Sequence, residues 1–176
     1  MNLREVIKVL NEMKADGIID RYAIGGAVGA TFYLEPVATL DVDVFIELHA
    51  QADALIIDLT PIYEYLEKKG GVKEKEYIVV ADTPIQFLLP PASSLSEEAV
   101  TEAVEKDVEG LSACVFTAEH VAAVALQTGR SKDKTRVLQF LEEGMLDMDR
   151  FQEIVARHAL GEKWQQFKQQ FLTAEQ

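Results

Sequence analysis

Asp41-Val42-Asp43 is the stretch of this 176-residue chain whose residue types and spacing best suit metal chemistry. On a strand, residues i and i+2 point to the same face. Both carboxylates then project together, while Val42, Val44 and Ile46 face the core. With their Cα atoms about 6–7 Å apart, the two side chains can share hard divalent ions such as Mg²⁺ or Mn²⁺. Those ions prefer oxygen ligands and bridge to substrate phosphates, as phosphoryl transfer requires. The spacing alone is common. It recurs at Glu74 and Glu76, at Glu105, Asp107 and Glu109, and at Asp147 and Asp149, in a chain with 30 acidic residues. Context separates Asp41 and Asp43. They lie in an apolar strand, where an unpaired carboxylate is costly unless a cation compensates it. The competing reading is an edge strand with its polar face in water.

Gly25-Gly26 is the second element of interest. It joins a strand to a helix, so backbone N–H groups at the helix start can cradle an anion. Without a Cβ in the way, a triphosphate can come close to the backbone. A simple tight turn is the alternative. The stretch Gly25-Gly26-Ala27-Val28-Gly29 is not G-x-G-x-x-G, and no Gly-Lys-Ser/Thr follows it, which excludes the dinucleotide and P-loop patterns.

Other candidates are less specific. Arg130, Lys132, Lys134 and Arg136 form the densest basic stretch. Its cations could neutralise phosphate charge, and Lys132 and Arg136 share a helix face at i, i+4. A solvated helix face is the alternative. His49, His120 and His158 read as structural or surface residues. Trp164, Phe167 and Phe171, at helical spacing, read as core or interface.

The elements that must position these groups follow from periodicity. Residues 3–14 read as an amphipathic helix, through Leu3, Val6, Ile7, Leu10 and Met13. Tyr22 to Ile24 reads as a strand, Ala27 to Leu34 as a helix and Leu40 to Leu48 as a strand. Thr60 reads as the cap, and Pro61 as the first residue, of a helix closed by Gly70-Gly71. Tyr77–Val80 and Ile85–Leu89 read as a hairpin turning at Ala81 to Pro84. Ser96 reads as the cap of a helix running to about Lys106, and Ser112–Phe116 as a strand. From Thr117 onward only helices are expected, over 118–128, 132–143, 148–159 and 162–172. Gly129, Gly144 and Gly161 fall where helix C-caps favour glycine. The fold class expected is α/β (α+β), a mixed sheet flanked by helices with a C-terminal helical bundle. Residues 1–116 would form the α/β core and 117–176 a helical subdomain packed on it.

Composition narrows the function. Apolar residues make up 48% of the chain, as in folded proteins. No apolar run is long enough to cross a membrane. The N-terminus lacks the pattern of a signal peptide, and one cysteine, Cys114, allows no internal disulfide, so a cytoplasmic location is expected. A net charge of −13 repels phosphate backbones and disfavours general nucleic-acid binding.

The combination of motifs is more specific than either part. Tyr22-Ala-Ile-Gly-Gly-Ala-Val-Gly-Ala-Thr31, followed by Ala38-Thr-Leu-Asp-Val-Asp-Val-Phe-Ile46, resembles the signature of the DNA polymerase β-like nucleotidyltransferase superfamily. Pro84-Ile-Gln-Phe-Leu-Leu-Pro90 with Glu98-Ala-Val100 resembles small bacterial nucleotidyltransferase-like proteins. So does Gly129-Arg130-Ser-Lys132-Asp133-Lys134 ahead of Leu138. Those proteins are related to the nucleotidyltransferase toxins of type IV toxin–antitoxin systems.

The resemblance implies that Asp41 and Asp43 bind two Mg²⁺ (or Mn²⁺) ions with a nucleoside triphosphate. Gly25, Gly26, Ala27 and Thr39 would line the nucleotide, with Arg130, Lys132 and Lys134 as a second layer. The reaction implied is attack of an acceptor on the α-phosphate with departure of pyrophosphate. The acceptor could be a small molecule, a protein hydroxyl or an RNA end. A homodimer or a partner protein are the open alternatives for assembly. The chain departs from the pattern in three places. The basic residues that relatives often carry between the helix and Asp41 are missing, and Pro36-Val37-Ala38 occupies that turn. Ala27 replaces the serine or threonine that usually follows Gly-Gly. Gln86 stands where relatives carry a third carboxylate, and glutamine cannot accept a proton at neutral pH. Asp82 could substitute only if the hairpin aims it inward. A nucleotidyltransferase-fold nucleotide-binding or interaction module without transfer activity is therefore the second reading, and a toxin–antitoxin component, suggested by the resemblance alone, is the third.

Overall fold

A computed structural model describes residues 1–36, 39, 41–48 and 58–172. Val37, Ala38, Leu40 and His49, which entered the expectations above, lie outside the described residues.

The first helix, α1 (Leu3–Ala15), buries Val6, Ile7, Val9, Leu10 and Met13 on one stripe, and Asn2 caps it by accepting from the Glu5 amide. Strand β1 (Arg21–Ile24) leads through Gly25 into a five-residue helix, α2 (Gly26–Ala30). Strand β2 (Val42–Glu47) follows, then α3 (Thr60–Lys68). Thr60 is the first helical residue of α3 rather than its cap. The Thr60 amide donates to Asp58 Oδ1 at 2.8 Å.

Strands β3 (Val72–Glu74), β4 (Tyr77–Val80) and β5 (Thr83–Leu88) complete one side of the sheet. The β4–β5 turn is two residues long. Ala81 and Asp82 both take positive φ, 47° and 59°, as the twist of a two-residue hairpin demands.

Helix α4 (Leu95–Thr101) differs from expectation at both ends. Its cap is Ser94, whose hydroxyl accepts from the Glu97 amide at 3.2 Å. It stops at Thr101 because the chain turns there into an edge strand, β6 (Val104–Val108), which pairs with β7 (Leu111–Val115).

Among the described residues the strands form one seven-stranded sheet in the order β3-β4-β5-β2-β1-β7-β6. It is mixed: β2 runs parallel to β5 and β1 parallel to β7, while β1 and β2 are antiparallel. The carboxylate strand β2 is thus central, which rules out the edge-strand reading. Its two faces contribute to different cores. Val42, Val44 and Ile46 join Tyr22, Ile24 and the stripe of α1. Phe45 joins Ala23, Phe116 and the buried faces of the later helices.

Those helices are α5 (Ala118–Thr128), α6 (Ser131–Glu142), α7 (Met148–Arg157) and α8 (Gly161–Phe171). Helix α5 packs on α6, α7 and α8 and also on α2 and α4. It is buried on almost every side, which explains its alanine-rich sequence. Trp164 and Phe167 stack with ring centroids 5.7 Å apart and are core residues. Gly129 and Gly144 take the left-handed conformation after α5 and α6, as expected. Gly161 does not; it opens α8, and Ala159 takes the positive φ after α7.

Candidate functional site

Asp43 is on the face of β2 that carries Phe45, toward the layer of later helices. The sharp strand-to-helix turn at Gly25 and Gly26 presses directly against it. Gly26 has φ 59°, and a Cβ on it would stand 1.8 Å from Asp43 Oδ2. A Cβ on Gly25 would meet the rings of Phe45 and Phe116 at 2.7 and 2.8 Å. The two glycines are therefore required by the carboxylate and by the tilted Phe45–Phe116 pair beneath it, whose centroids are 4.7 Å apart.

The Gly25 amide donates to the Asp43 carbonyl at 3.0 Å. Gly25 thus contributes shape rather than an available donor. The amides of Gly26 and Ala27, first in α2, have no acceptor four residues back within the helix.

Asp41 stands just before β2. The Thr39 hydroxyl lies 3.3 Å from its carbonyl and 3.5 Å from Oδ1, so Thr39 steadies Asp41. Burial raises the pKa of Asp43, and the neighbouring Asp41 charge raises it further. Arg130, then Lys132 and Arg136, pull it back down. Two half-buried carboxylates, with three cations within electrostatic reach of Asp43, form a set of hard oxygen donors suited to a divalent cation.

The basic stretch on α6 is thereby brought to the carboxylates, though not as a uniform face. Asp133 is 1% exposed. It accepts from Arg130 Nε at 2.6 Å and Arg136 Nη1 at 3.2 Å. Burial of Asp133 and of Arg136, which is 8% exposed, excludes a wholly solvated helix face. Lys132 is exposed, within electrostatic reach of Asp43. Lys134 faces another way, its ammonium 3.3 Å from Gln170 Oε1 on α8.

On β5, Gln86 is the register partner of Asp43. The position beside the Asp43 carboxylate is thus held by an amide. Asp82 is exposed at the tip of the β4–β5 turn. Tyr77, at the start of β4, was not signalled by the sequence. Its phenol pKa is raised, first by the charge of Asp41 and less by Glu76 and Asp43. Only the strand order, which puts β4 next to β5, could have drawn attention to it.

A second polar cluster lies elsewhere. Ligand-type atoms of Glu98, Glu102 and His120 fall within 4.8 Å of one another, but Arg157 and Arg150 already occupy the two carboxylates. Arg157, then His158 and His120, hold the Glu98 carboxyl down at about 2. A carboxyl depressed in the fold stabilises it fully above its unfolded pKa and loses that contribution as pH falls through the folded value. The stability difference between wild type and Glu98→Gln is expected to shrink as pH drops from about 4.5 toward 2, read by denaturant unfolding at each pH.

No protein-family model matches the chain, and no curated protein sequence does. Solved structures do. An antigenic nucleotidyltransferase-like protein from Paracoccidioides brasiliensis aligns over 81% of this chain and 75% of its own, with 15% identity and a TM-score of 0.51. ANT(2″)-Ia in complex with adenylyl-2″-tobramycin aligns over 93% of this chain and 99% of its own, with 12% identity and a TM-score of 0.57. The solution structure of the antibiotic-resistance factor ANT(2″)-Ia aligns over 97% and 98%, with 12% identity and a TM-score of 0.52. At such identities the likeness establishes the fold.

Proposed function

The fold is that of the nucleotidyltransferases, and we propose that the chain binds a nucleoside triphosphate with divalent cations at Asp41 and Asp43 and transfers the nucleoside monophosphate to an acceptor hydroxyl. The observation that carries this reading is the contact of Gly26 with the Asp43 carboxylate, beside Asp41 and opposite Arg130 and Lys132. Asp41 and Asp43 would hold the cations, which when bound polarise phosphate oxygens and neutralise developing charge. The Gly26 and Ala27 amides, which have no acceptor four residues back within α2, would donate to a phosphate beside the Asp43 carboxylate. Arg130 and Lys132 supply further positive charge for the departing pyrophosphate, and positioning with electrostatics provides most of the rate. One neighbour's ligand, adenylyl-2″-tobramycin, joins an adenylyl group to an aminoglycoside. A small-molecule hydroxyl is accordingly the first acceptor class to try.

Calorimetry with ATP, GTP, CTP and UTP in the presence of Mg²⁺ or Mn²⁺ tests the binding part. Saturable binding of at least one is expected, and none with any of the four would overturn it. No membrane partner is proposed; among the described residues no helix is long and apolar enough to cross a bilayer.

Gln86 in register with Asp43 favours a second reading, a nucleotide-binding module with little or no transfer. The two separate in one substitution. Gln86→Glu places a proton acceptor beside Asp43, and general-base assistance is worth roughly 10²-fold or more in rate. A gain of that size at similar nucleotide affinity is expected if the missing carboxylate limits turnover. No gain would leave the module reading in place.

A further inference from the structure

Away from the Asp41–Asp43 site, Glu98 gathers four hydrogen-bond contacts from three residues. Its Oε1 is 3.1 Å from His120 Nε2 and accepts from Arg157 Nη2 at 2.7 Å. Its Oε2 is 2.8 Å from His158 Nε2 and accepts from Arg157 Nε at 3.0 Å. The Arg157 pair is the two-pronged geometry that fixes orientation as well as distance. His120 is fully buried, and its other ring nitrogen is 2.9 Å from Thr117 Oγ1. The ring is therefore locked at both ends. Glu98 itself is on α4, whose Leu95, Ala99 and Val100 are buried against the same core as Phe45.

The partners come from two helices. His120 is in the first turn of α5, and Arg157 and His158 close α7. Beside His120, Glu119 accepts from the Asp147 amide at 3.1 Å, at the cap that starts α7. Helix α7 is thus held at its start by Glu119 and at its end through Glu98. From this anchorage α5 runs 11 residues, about 16 Å. It passes α2, where Val121 Cγ2 is 3.7 Å from the Cβ position of Gly29. It ends at Gly129, and Arg130 follows.

We propose that Glu98 is a positioning residue: by gripping His120, Arg157 and His158 it sets how α5 and α7 dock on the sheet, and through α5 it places Arg130 beside Asp41 and Asp43. The consequence for Arg130 rests on the nucleotide-site reading above; the docking role does not. A carboxylate on a seven-residue helix thereby acts on a site at the far end of α5 without touching it.

Two measurements on Glu98→Gln decide the matter. Amide hydrogen exchange of the nucleotide-free protein should show exchange about tenfold faster in residues 128–133 and 147–158, with β2 and β5 unchanged. Exchange that rises uniformly, or nowhere, would overturn the proposal. Mg²⁺–nucleotide affinity should fall about tenfold, and Arg130→Ala should cost much less in the Glu98→Gln background than in wild type. Strictly additive losses would also overturn it. If wild type binds no nucleotide, the nucleotide-site reading fails while the exchange pattern still judges the docking role. Should Glu98→Gln not fold, Arg157→Gln, at a side chain 49% exposed, carries the exchange test for residues 147–158, and unchanged exchange there would overturn the grip on α7.

Discussion

Asp43→Asn is expected to abolish divalent-dependent nucleotide transfer, with a loss of roughly 10³-fold or more, while leaving the protein folded. The magnitude follows from removing one charged oxygen from a partly buried site where the proposed reaction would develop charge. Folding should survive because the Asp43 carboxyl is a strain on the fold rather than a support. Burial and the Asp41 charge both disfavour its ionised form, so the neutral amide relieves that cost. A Tm equal to or above wild type, together with lost incorporation of labelled nucleotide, is the predicted pair of results. Asp41→Asn should also abolish transfer, but Asp41 lies outside the strand and is steadied by Thr39, so its effect on Tm should be smaller. Incorporation unaffected by both substitutions would show that the chemistry lies elsewhere.

Gly26→Ala is expected to damage both stability and site. Alanine at φ 59° is strained, and its Cβ would stand 1.8 Å from Asp43 Oδ2. Backbone strain and overpacking together are worth about 3 kcal/mol. The carboxylate must swing away or the turn must open, and in either case the arrangement proposed to hold the cations is lost. The steric part can be isolated. In an Asp43→Ala background the obstructing oxygen is gone and only a 3.1 Å approach to the Cβ at position 43 remains, so Gly26→Ala should there cost mainly the strain, about 1 kcal/mol. Equal costs in both backgrounds, measured by denaturant unfolding, would show that the contact does not constrain the turn.

These residues were legible in the sequence because their signals are local. The alternation through Asp41, Val42, Asp43 and Val44 gives a strand, and Gly25-Gly26 gives a turn into a helix. Two glycines in succession suggested room for a ligand. The Cβ side of each glycine is filled, by Asp43 at Gly26 and by Phe45 and Phe116 at Gly25. Edge strands were not legible. Val104-Glu-Lys-Asp-Val108 lies exposed at the margin of the sheet and carries no apolar alternation, so the helical pattern before it reads on to Lys106.

Glu98 was not legible either. It is bonded to residues 22, 59 and 60 positions away, and neither histidine has a local partner that would suggest a shared carboxylate. His120 and His158 are structural, as expected, yet their common role emerges only in three dimensions. The basic stretch was half-read. Helical spacing grouped Lys132 with Arg136, but it is Asp133, buried between Arg130 and Arg136, that sorts those cations into inward and outward sets.

The most direct measurement of the central claim is a crystal structure with Mn²⁺ and a non-hydrolysable nucleoside triphosphate, using the anomalous signal of manganese. The prediction is manganese coordinated by the Asp41 and Asp43 carboxylates, with the triphosphate against Gly26 and Ala27 and facing Arg130. Manganese and nucleotide bound away from these residues, or a fully loaded crystal with neither at this site, would contradict it.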